Sequence, residues 1–221
     1  MKKIFFYLIF LMTACEIDQY AEPAETLQGI LTDPDGEPFI TEQPHGFQIR
    51  MLEDGATQYY DFWGKADGSF HNSKIFGAKY SLMPYNGAFF PIDPVTKKIS
   101  GVTTLNFVVV PFCKINADIK HDNGILKASF QINKAAGAGK LKNAQLIVSK
   151  WNPNVGMYRI DKSASLDLNT RNDDTLQGQT LELSIAGYLE SGVTYYARVA
   201  ALCDNPIGRY NMSVITQIIV P

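Results

Sequence analysis

Residues 26–38 read TLQGILTDPDGEP, an apolar run that leads into a tight turn. The run up to Thr32 has the length and residue types of a half-buried β-strand. Asp33 at the first turn position, Pro34 at the second and Gly36 at the end fit a type I turn. This strand-and-turn unit predicts a body built from short β-strands.

The same pattern recurs along the chain, and no stretch after residue 15 keeps the roughly 3.6-residue apolar period of an amphipathic helix. Short apolar runs between clusters of Gly, Pro, Asn and Asp are typical of β-sandwiches. The predicted strands lie at 26–32, 47–52, 59–63, 76–82, 126–132, 144–151, 181–185, 195–201 and 214–220. The fold class is therefore expected to be all-β, with two tandem β-sandwiches.

The composition excludes several classes of protein. The chain has 221 residues, 46% of them hydrophobic, so it can bury a core and is not a disordered chain. A net charge of −2 does not provide the clustered basic surface that nucleic-acid binding needs. Three cysteines are too few for a disulfide-dense scaffold or an array of zinc ribbons.

The first half of the chain carries a family resemblance. The stretch from Gly29 through Asp33 and Gly36 to Pro38, the turn Asp67-Gly68-Ser69-Phe70, and Gly77-x-x-Tyr80-x-Leu82 form its motif. This motif resembles the carboxypeptidase-regulatory-like, or transthyretin-like, β-sandwich. The resemblance implies such a domain over residues 26–111, in which the glycines and aspartates shape hairpins and have no catalytic role.

The second half resembles a fibronectin type III, or immunoglobulin-like, sandwich over residues 112–221. The resemblance rests on the segment Leu189-x-Ser191-Gly192-x-x-Tyr195-x-Ala197-x-Val199. It implies that Tyr195 is a corner tyrosine, whose hydroxyl bonds to backbone upstream.

Strand alternation predicts the direction of the side chains that follow Tyr195. Tyr195, Ala197, Val199 and Ala201 are expected to face the core, whereas Tyr196, Arg198 and Ala200 face outward. Trp151, at the end of another predicted strand, is expected to pack in the core or at its rim rather than to touch a ligand.

The N-terminus is typical of a lipoprotein precursor. Residues 1–14 combine a short basic region with an apolar run too short to span a bilayer, so they are expected to be a signal peptide. The small residues before Cys15 resemble a lipobox, which implies lipidation of Cys15 and a tether over residues 15–25. Glu16 and Asp18 resemble the surface-export signal of Bacteroidetes lipoproteins. The alternative is an ordinary cleaved signal peptide with a chance cysteine.

The order of these parts resembles a Bacteroidetes outer-membrane lipoprotein family that is associated with SusC/SusD-type glycan-uptake loci. The resemblance implies a lipid anchor in the outer membrane, exposure at the cell surface, and partners among polysaccharides, oligosaccharides or SusC/SusD-type proteins.

No catalytic constellation is apparent. A glycosidase needs two carboxylates about 5–10 Å apart, whereas the acidic residues here lie largely in turns. His45, His71 and His121 are far apart in the sequence and lack partners at metal-ligand spacing. We therefore expect no catalytic residue, no metal site and no cofactor, and the chain is not expected to be an enzyme.

The two remaining cysteines leave two alternatives open. Cys113 would start the first strand of a fibronectin-like sandwich and Cys203 would end its sixth strand, at the same pole. They are either joined in a disulfide, which an oxidising compartment permits, or buried as free thiols. That pole faces the first sandwich, so the loop 204–210 is expected to line the junction between the two.

Aromatic clusters are the one pattern that favours binding. Alternation places Tyr59, Asp61 and Trp63 on one face of a strand and Tyr60 and Phe62 on the other. A second cluster contains Tyr85 and Phe89. Such rings either fill a small core or form a platform for sugar or for another protein.

The candidate ligand-binding residues are thus Tyr59, Trp63, Tyr85 and Phe89. The sequence favours a non-catalytic, accessory glycan-binding lipoprotein of a Sus-like polysaccharide uptake system. The alternative is a structural subunit that docks on an outer-membrane transporter or a partner lipoprotein without binding sugar.

Overall fold

The computed structural model describes residues 21–221. The predicted signal peptide, the lipidation site Cys15 and the first part of the tether lie outside the described residues. The described part of the chain is built from β-strands with one short helix. Its strands form two sandwiches, as the sequence predicts.

The first sandwich consists of two sheets, and strand β1 crosses the centre of one of them. β1 pairs antiparallel with β4 and parallel with β7 and β8, while the facing sheet has the order β3-β2-β5-β6. The strands are β1 (Glu25–Thr32), β2 (Gln48–Glu53), β3 (Tyr59–Trp63), β4 (Ser69–Ile75), β5 (Lys79–Tyr85), β6 (Val95–Lys98), β7 (Val102–Thr104) and β8 (Phe107–Val108).

The second sandwich packs a three-stranded sheet, β13-β10-β9, on a larger sheet in which β14 lies between β11 and the short strands β15 and β16, with β12 beyond β11. Every strand pairing among the described residues stays within one sandwich. Its elements are β9 (Cys113–Asp122), β10 (Ile125–Lys134), β11 (Leu141–Lys150), β12 (Lys162–Asp167), α1 (Asp173–Leu176), β13 (Leu181–Ala186), β14 (Thr194–Cys203), β15 (Asn211–Met212) and β16 (Thr216–Ile219).

The turn after β1 forms as its residues predict. The carbonyl of Asp33 accepts a hydrogen bond from the Gly36 N–H at 3.0 Å, and its Oδ1 accepts one from the Asp35 N–H at 2.8 Å. The other carboxylate oxygen of Asp33 lies 2.5 Å from Nζ of Lys114 in the second sandwich. The turn therefore also contacts the joint between the sandwiches.

Gly29 in β1 is required by a close approach of backbone. A Cβ atom at this position would lie 1.8 Å from the carbonyl oxygen of Leu105, on the segment between β7 and β8. The neighbouring Leu27 and Leu31 are fully buried in the core. The absence of a side chain at Gly29 thus lets the crossing segment pack directly on β1.

Tyr195 is the corner tyrosine that the fibronectin-like motif predicts. Its ring is fully buried, and its hydroxyl accepts a hydrogen bond from the Glu190 N–H at 3.0 Å. Ala197 and Val199 face the same core, as alternation predicts. Ala200, on the opposite face of β14, is buried in a separate small cluster with Val155. The outward face of β14 is therefore largely covered, with Arg198 and Ala200 buried and Tyr196 half-buried.

The interpretation of Trp151 is wrong. It lies just past the end of β11 with 68% of its surface exposed, so it packs neither in the core nor at its rim. Two predicted strands form with other bounds, since the strand expected at 76–82 spans 79–85 and the strand expected at 214–220 spans 216–219.

Cys113 and Cys203 are both buried, and the structure has them as free thiols. A hydrogen bond with Cys203, together with burial, raises the pKa of the Cys113 thiol. The backbone N–H of Cys113 donates to Oδ1 of Asn211 at 3.1 Å. Of the two alternatives left open by the sequence, the structure thus has neighbouring free thiols at the pole that faces the first sandwich.

Candidate functional site

The outer face of the sheet β3-β2-β5-β6 carries exposed aromatic rings among polar side chains. Tyr59, Trp63 and Tyr85 have 57%, 37% and 38% of their surface exposed. They share this face because the register aligns Gln48 of β2 with both Trp63 and Tyr85, and Arg50 with Asp61. We call this surface the aromatic face; it consists of Gln48, Arg50, Tyr59, Asp61, Trp63, Tyr85 and Asn86.

Arg50 holds the centre of the aromatic face. Its guanidinium lies 3.6 Å from the ring centroid of Tyr85 and 4.7 Å from that of Tyr59. Nε and Nη2 donate to the carboxylate of Asp61 at 3.0 and 2.7 Å. The cation–π contacts and the bidentate ion pair both restrict the guanidinium. The two tyrosine rings that contact it are therefore restrained before any ligand binds.

Amide groups border the rings. Nδ2 of Asn86 donates to Oε1 of Gln48 at 3.0 Å. This bond fixes both amides and leaves Nε2 of Gln48 and Oδ1 of Asn86 as a donor and an acceptor beside Tyr85 and Trp63. Rings with adjacent fixed polar groups are the usual lining of a small-molecule or sugar site.

Three of the four ring residues singled out from the sequence lie on this face, and one does not. Phe89 is only 3% exposed, and its ring packs edge-on against Phe39 with 5.3 Å between centroids. The interpretation of Phe89 as a ligand contact is therefore wrong, because the segment after β5 turns this ring into the core. The alternation predicted for β3 is confirmed, since Phe62 packs against the core residue Phe70.

The aromatic face continues to the joint between the sandwiches. His45 lies between Trp63 and Tyr158, with 4.8 Å from its ring centroid to each of theirs. The guanidinium carbon of Arg209 lies 5.6 Å from the Trp63 ring centroid. We call His45, Trp63, Tyr158 and Arg209 the junction cluster. Both sandwiches thus contribute side chains to one continuous surface.

Sequence reasoning missed two of the four members of the junction cluster. It placed the loop that carries Arg209 at the junction but assigned no role to His45 or Tyr158. Both lie in irregular segments, where no periodicity indicates which side chains meet. Only the aromatic character of Tyr158, in a loop rich in Asn and Pro, could have drawn attention to it.

Beneath the junction cluster lie two buried charged side chains. Nη1 of Arg198 donates to the Thr41 carbonyl of the first sandwich at 2.8 Å, and burial lowers the pKa of Arg198 to about 9. Oε2 of Glu42 accepts the Met157 N–H at 2.7 Å. Burial raises the pKa of Glu42, although that hydrogen bond and the charges of Arg209 and Arg198 act in the opposite direction.

A groove along the sheet β13-β10-β9 is lined by charges that already pair with each other, such as Lys120 with Asp118 and Lys127 with Asp122, both at 2.5 Å. Within residues 21–221, no group of three or more His, Cys, Asp or Glu side chains is placed to hold a metal ion. No helix in this range is both long enough and apolar enough to cross a membrane.

Several solved structures share this architecture. A DUF3823 family protein from Bacteroides uniformis superposes with a TM-score of 0.80 at 24% identity, over 90% of this chain and 100% of that one. A protein from the same organism, described as a proposed carbohydrate binding protein, gives 0.74 at 22% identity with the same coverage. A DUF3823 family protein from Parabacteroides merdae gives 0.72 at 21% identity, over 89% of this chain and 98% of that one.

The chain has the fold of these Bacteroides and Parabacteroides proteins. The similarity extends over both sandwiches, since it covers about nine-tenths of the chain. None of the three is named as an enzyme. Neither a family model nor a curated protein sequence matches the chain.

The raised pKa of Glu42 makes a pH-dependent stability testable through Glu42→Gln. The folded state holds the Glu42 proton more tightly than the unfolded chain, so the stability from this group is present at low pH and is lost as pH rises through the raised pKa. We expect the unfolding free energy of the variant, relative to that of the wild type, to increase as pH rises from below the ordinary pKa of 4.5 to neutral pH.

Urea unfolding of both proteins across that pH range provides the measurement. Glu37→Gln, at an exposed carboxylate in the turn after β1, is the control for loss of one negative charge. A difference between Glu42→Gln and wild type that stays constant or shrinks as pH rises would contradict the assignment.

Proposed function

We propose that the protein is a non-catalytic carbohydrate-binding lipoprotein that holds a glycan on the aromatic face. The observation that carries the proposal is the exposure of Tyr59, Trp63 and Tyr85 around the fixed Arg50–Asp61 pair. The C–H groups on one side of a sugar ring form an apolar surface that suits the negative face of an aromatic ring. Sugar hydroxyls then find donors and acceptors in the bordering amides.

The arrangement of the acidic groups supports holding rather than cleaving. Glycoside hydrolysis uses two carboxylates about 5–10 Å apart around the bond that breaks. On the aromatic face, the carboxylate of Asp61 is occupied by Arg50. Glu42, near the junction cluster, is buried and accepts a backbone N–H. Neither is presented to a bound sugar as a free acid or nucleophile.

The comparisons and the sequence order support the same class of function. The Bacteroides uniformis protein described as a proposed carbohydrate binding protein shares both sandwiches with this chain. Together with the resemblance of the N-terminus to surface lipoproteins, this supports an accessory role in a Sus-like polysaccharide uptake system, beside SusC/SusD-type proteins.

A docking subunit that does not bind sugar is the second candidate. It is favoured by exposed apolar side chains on strands β7 and β8, where Val102 and Val108 are 69% and 58% exposed. Strands at a sheet edge also offer unpaired backbone groups to another chain. An outer-membrane transporter or a partner lipoprotein would then contact this edge instead of the aromatic face.

Replacement of single rings tests the glycan-binding proposal. In a glycan array followed by titration with soluble residues 19–221, we expect the wild type to retain at least one polysaccharide. Trp63→Ala and Tyr85→Ala should each weaken that binding about tenfold, which corresponds to about 1.4 kcal/mol, because each removes a stacking surface.

Trp151→Ala is the matched control, since Trp151 is the tryptophan of the second sandwich and is more exposed than Trp63, at 68% against 37%. It should leave the affinity unchanged. Unfolding midpoints of all three variants exclude loss of fold as the cause. Unchanged affinity in both aromatic-face variants, or binding of a protein partner by a wild type that retains no glycan, would favour the docking subunit.

We also propose that Cys15 carries the lipid that anchors the protein at the outer membrane and cell surface. The support is the small residues before Cys15 and the acidic residues that follow it. Cys15→Ala in the full chain should move the protein from the membrane fraction to the soluble fraction. Cys113→Ala, at a buried cysteine, is the control, and a Cys15→Ala protein that remains in the membrane fraction would refute the anchor.

A further inference from the structure

The guanidinium of Arg209 has hydrogen-bonding capacity that the protein does not use. Within residues 21–221 its side chain forms no hydrogen bond and no ion pair, and its Nε is buried without a partner. In contrast, Arg50 donates to Asp61, and Arg198 donates to three backbone carbonyls. A buried N–H group without an acceptor raises the free energy of the folded state unless another group accepts a hydrogen bond from it.

The position of Arg209 is nevertheless fixed by the loop that carries it. Oδ1 of Asn205 accepts the Arg209 N–H at 3.3 Å, and Nδ2 of Asn205 donates to the carbonyls of Arg209 and Cys203 at 3.2 and 2.7 Å. The side chain then lies against Trp63. Arg209 is thus held in place beside a ring of the aromatic face.

The charged side chains around Glu42 leave an excess of positive charge. Two guanidinium groups, those of Arg198 and Arg209, face one carboxylate, that of Glu42. Glu42 is buried, and its Oε2 is engaged with the Met157 N–H. Even when Glu42 is ionised, the three groups together carry a net charge of +1. A negatively charged group that reaches Arg209 from the solvent side would balance that charge.

The junction cluster places exposed aromatic surface beside Arg209. Trp63 belongs to the first sandwich and Tyr158 to the second, and His45 sets the spacing between their rings. Tyr158 is 64% exposed, so this part of the surface is open. A substituent on a sugar that stacks on Trp63 lies within reach of the neighbouring guanidinium.

We infer that the glycan is acidic and that Arg209 binds an anionic group of the sugar that stacks on Trp63. This inference rests on the proposed glycan-binding function. The planar guanidinium matches a carboxylate with two parallel hydrogen bonds, and it accepts a sulfate ester in the same way. Arg209 is then the residue that distinguishes acidic from neutral polysaccharides, while the rings of the aromatic face provide binding to either.

The test compares acidic polymers with neutral counterparts of the same backbone. The probes are polygalacturonate and alginate, each beside its carboxyl-reduced form, and chondroitin sulfate beside its desulfated form, its carboxyl-reduced form and the neutral form with both changes. All are titrated against soluble residues 19–221 at physiological salt. We expect the wild type to bind at least one acidic polymer about tenfold more tightly than its neutral counterpart. Loss of preference on carboxyl reduction assigns a uronate as the recognised group, and loss on desulfation assigns a sulfate ester.

Arg209→Gln should abolish that preference, so that acidic and neutral polymers bind alike, whereas Arg209→Lys should retain part of it. Arg171→Gln, at an exposed arginine of the second sandwich, controls for the loss of one positive charge and should keep the preference. Trp63→Ala should weaken the binding of acidic and neutral polymers alike.

Equal binding of acidic and neutral polymers by the wild type would overturn the role of Arg209 and leave the glycan-binding function standing. An acidic preference that survives in Arg209→Gln would do the same. A wild type that binds no polymer of either kind would contradict both the inference and the proposed function.

Discussion

The buried guanidinium of Arg198 sets how the two sandwiches meet. It has no exposed surface, and it donates to the carbonyls of Ser213, Val155 and Thr41, which belong to three separate segments. A charge taken out of water is costly unless its donors are paired. The orientation in which all three carbonyls reach Arg198 is therefore favoured over others, because any rotation of the first sandwich would withdraw Thr41 and leave donors unpaired.

That constraint reaches the aromatic face through a single stretch of chain. Thr41 and Glu42 contact the second sandwich, His45 follows three residues later in the junction cluster, and the chain then enters β2 with Gln48 and Arg50. The segment that bonds to Arg198 thus leads directly into the strand that carries the centre of the aromatic face. Asn211 connects the two sandwiches at a second point, where its Nδ2 donates to the Ala88 carbonyl of the first sandwich at 2.8 Å.

Local features of the fold could be predicted from the sequence, whereas features that depend on contacts between distant segments could not. The Asp33 turn and the Tyr195 corner depend on residues within a few positions of each other, and both form as predicted. Strand alternation correctly predicted that Arg198 faces away from the core of its own sandwich. It could not reveal that residues far away in the chain would bury that face of β14. The prediction of Phe89 as a ligand contact was wrong for the same reason, because an irregular segment has no periodicity that indicates which ring faces inward.

We expect the Arg198 joint to make the two sandwiches unfold as one cooperative body. Each sandwich contains one tryptophan, Trp63 in the first and Trp151 in the second. Fluorescence of Trp151→Phe and Trp63→Phe during urea unfolding therefore reports the first and the second sandwich separately, and far-ultraviolet circular dichroism of each variant corrects for its own change in stability. Fluorescence and circular dichroism should coincide in both variants, as one two-state transition requires. A fluorescence midpoint that departs from the circular dichroism midpoint in either variant would mean that the sandwiches unfold independently and would contradict this expectation.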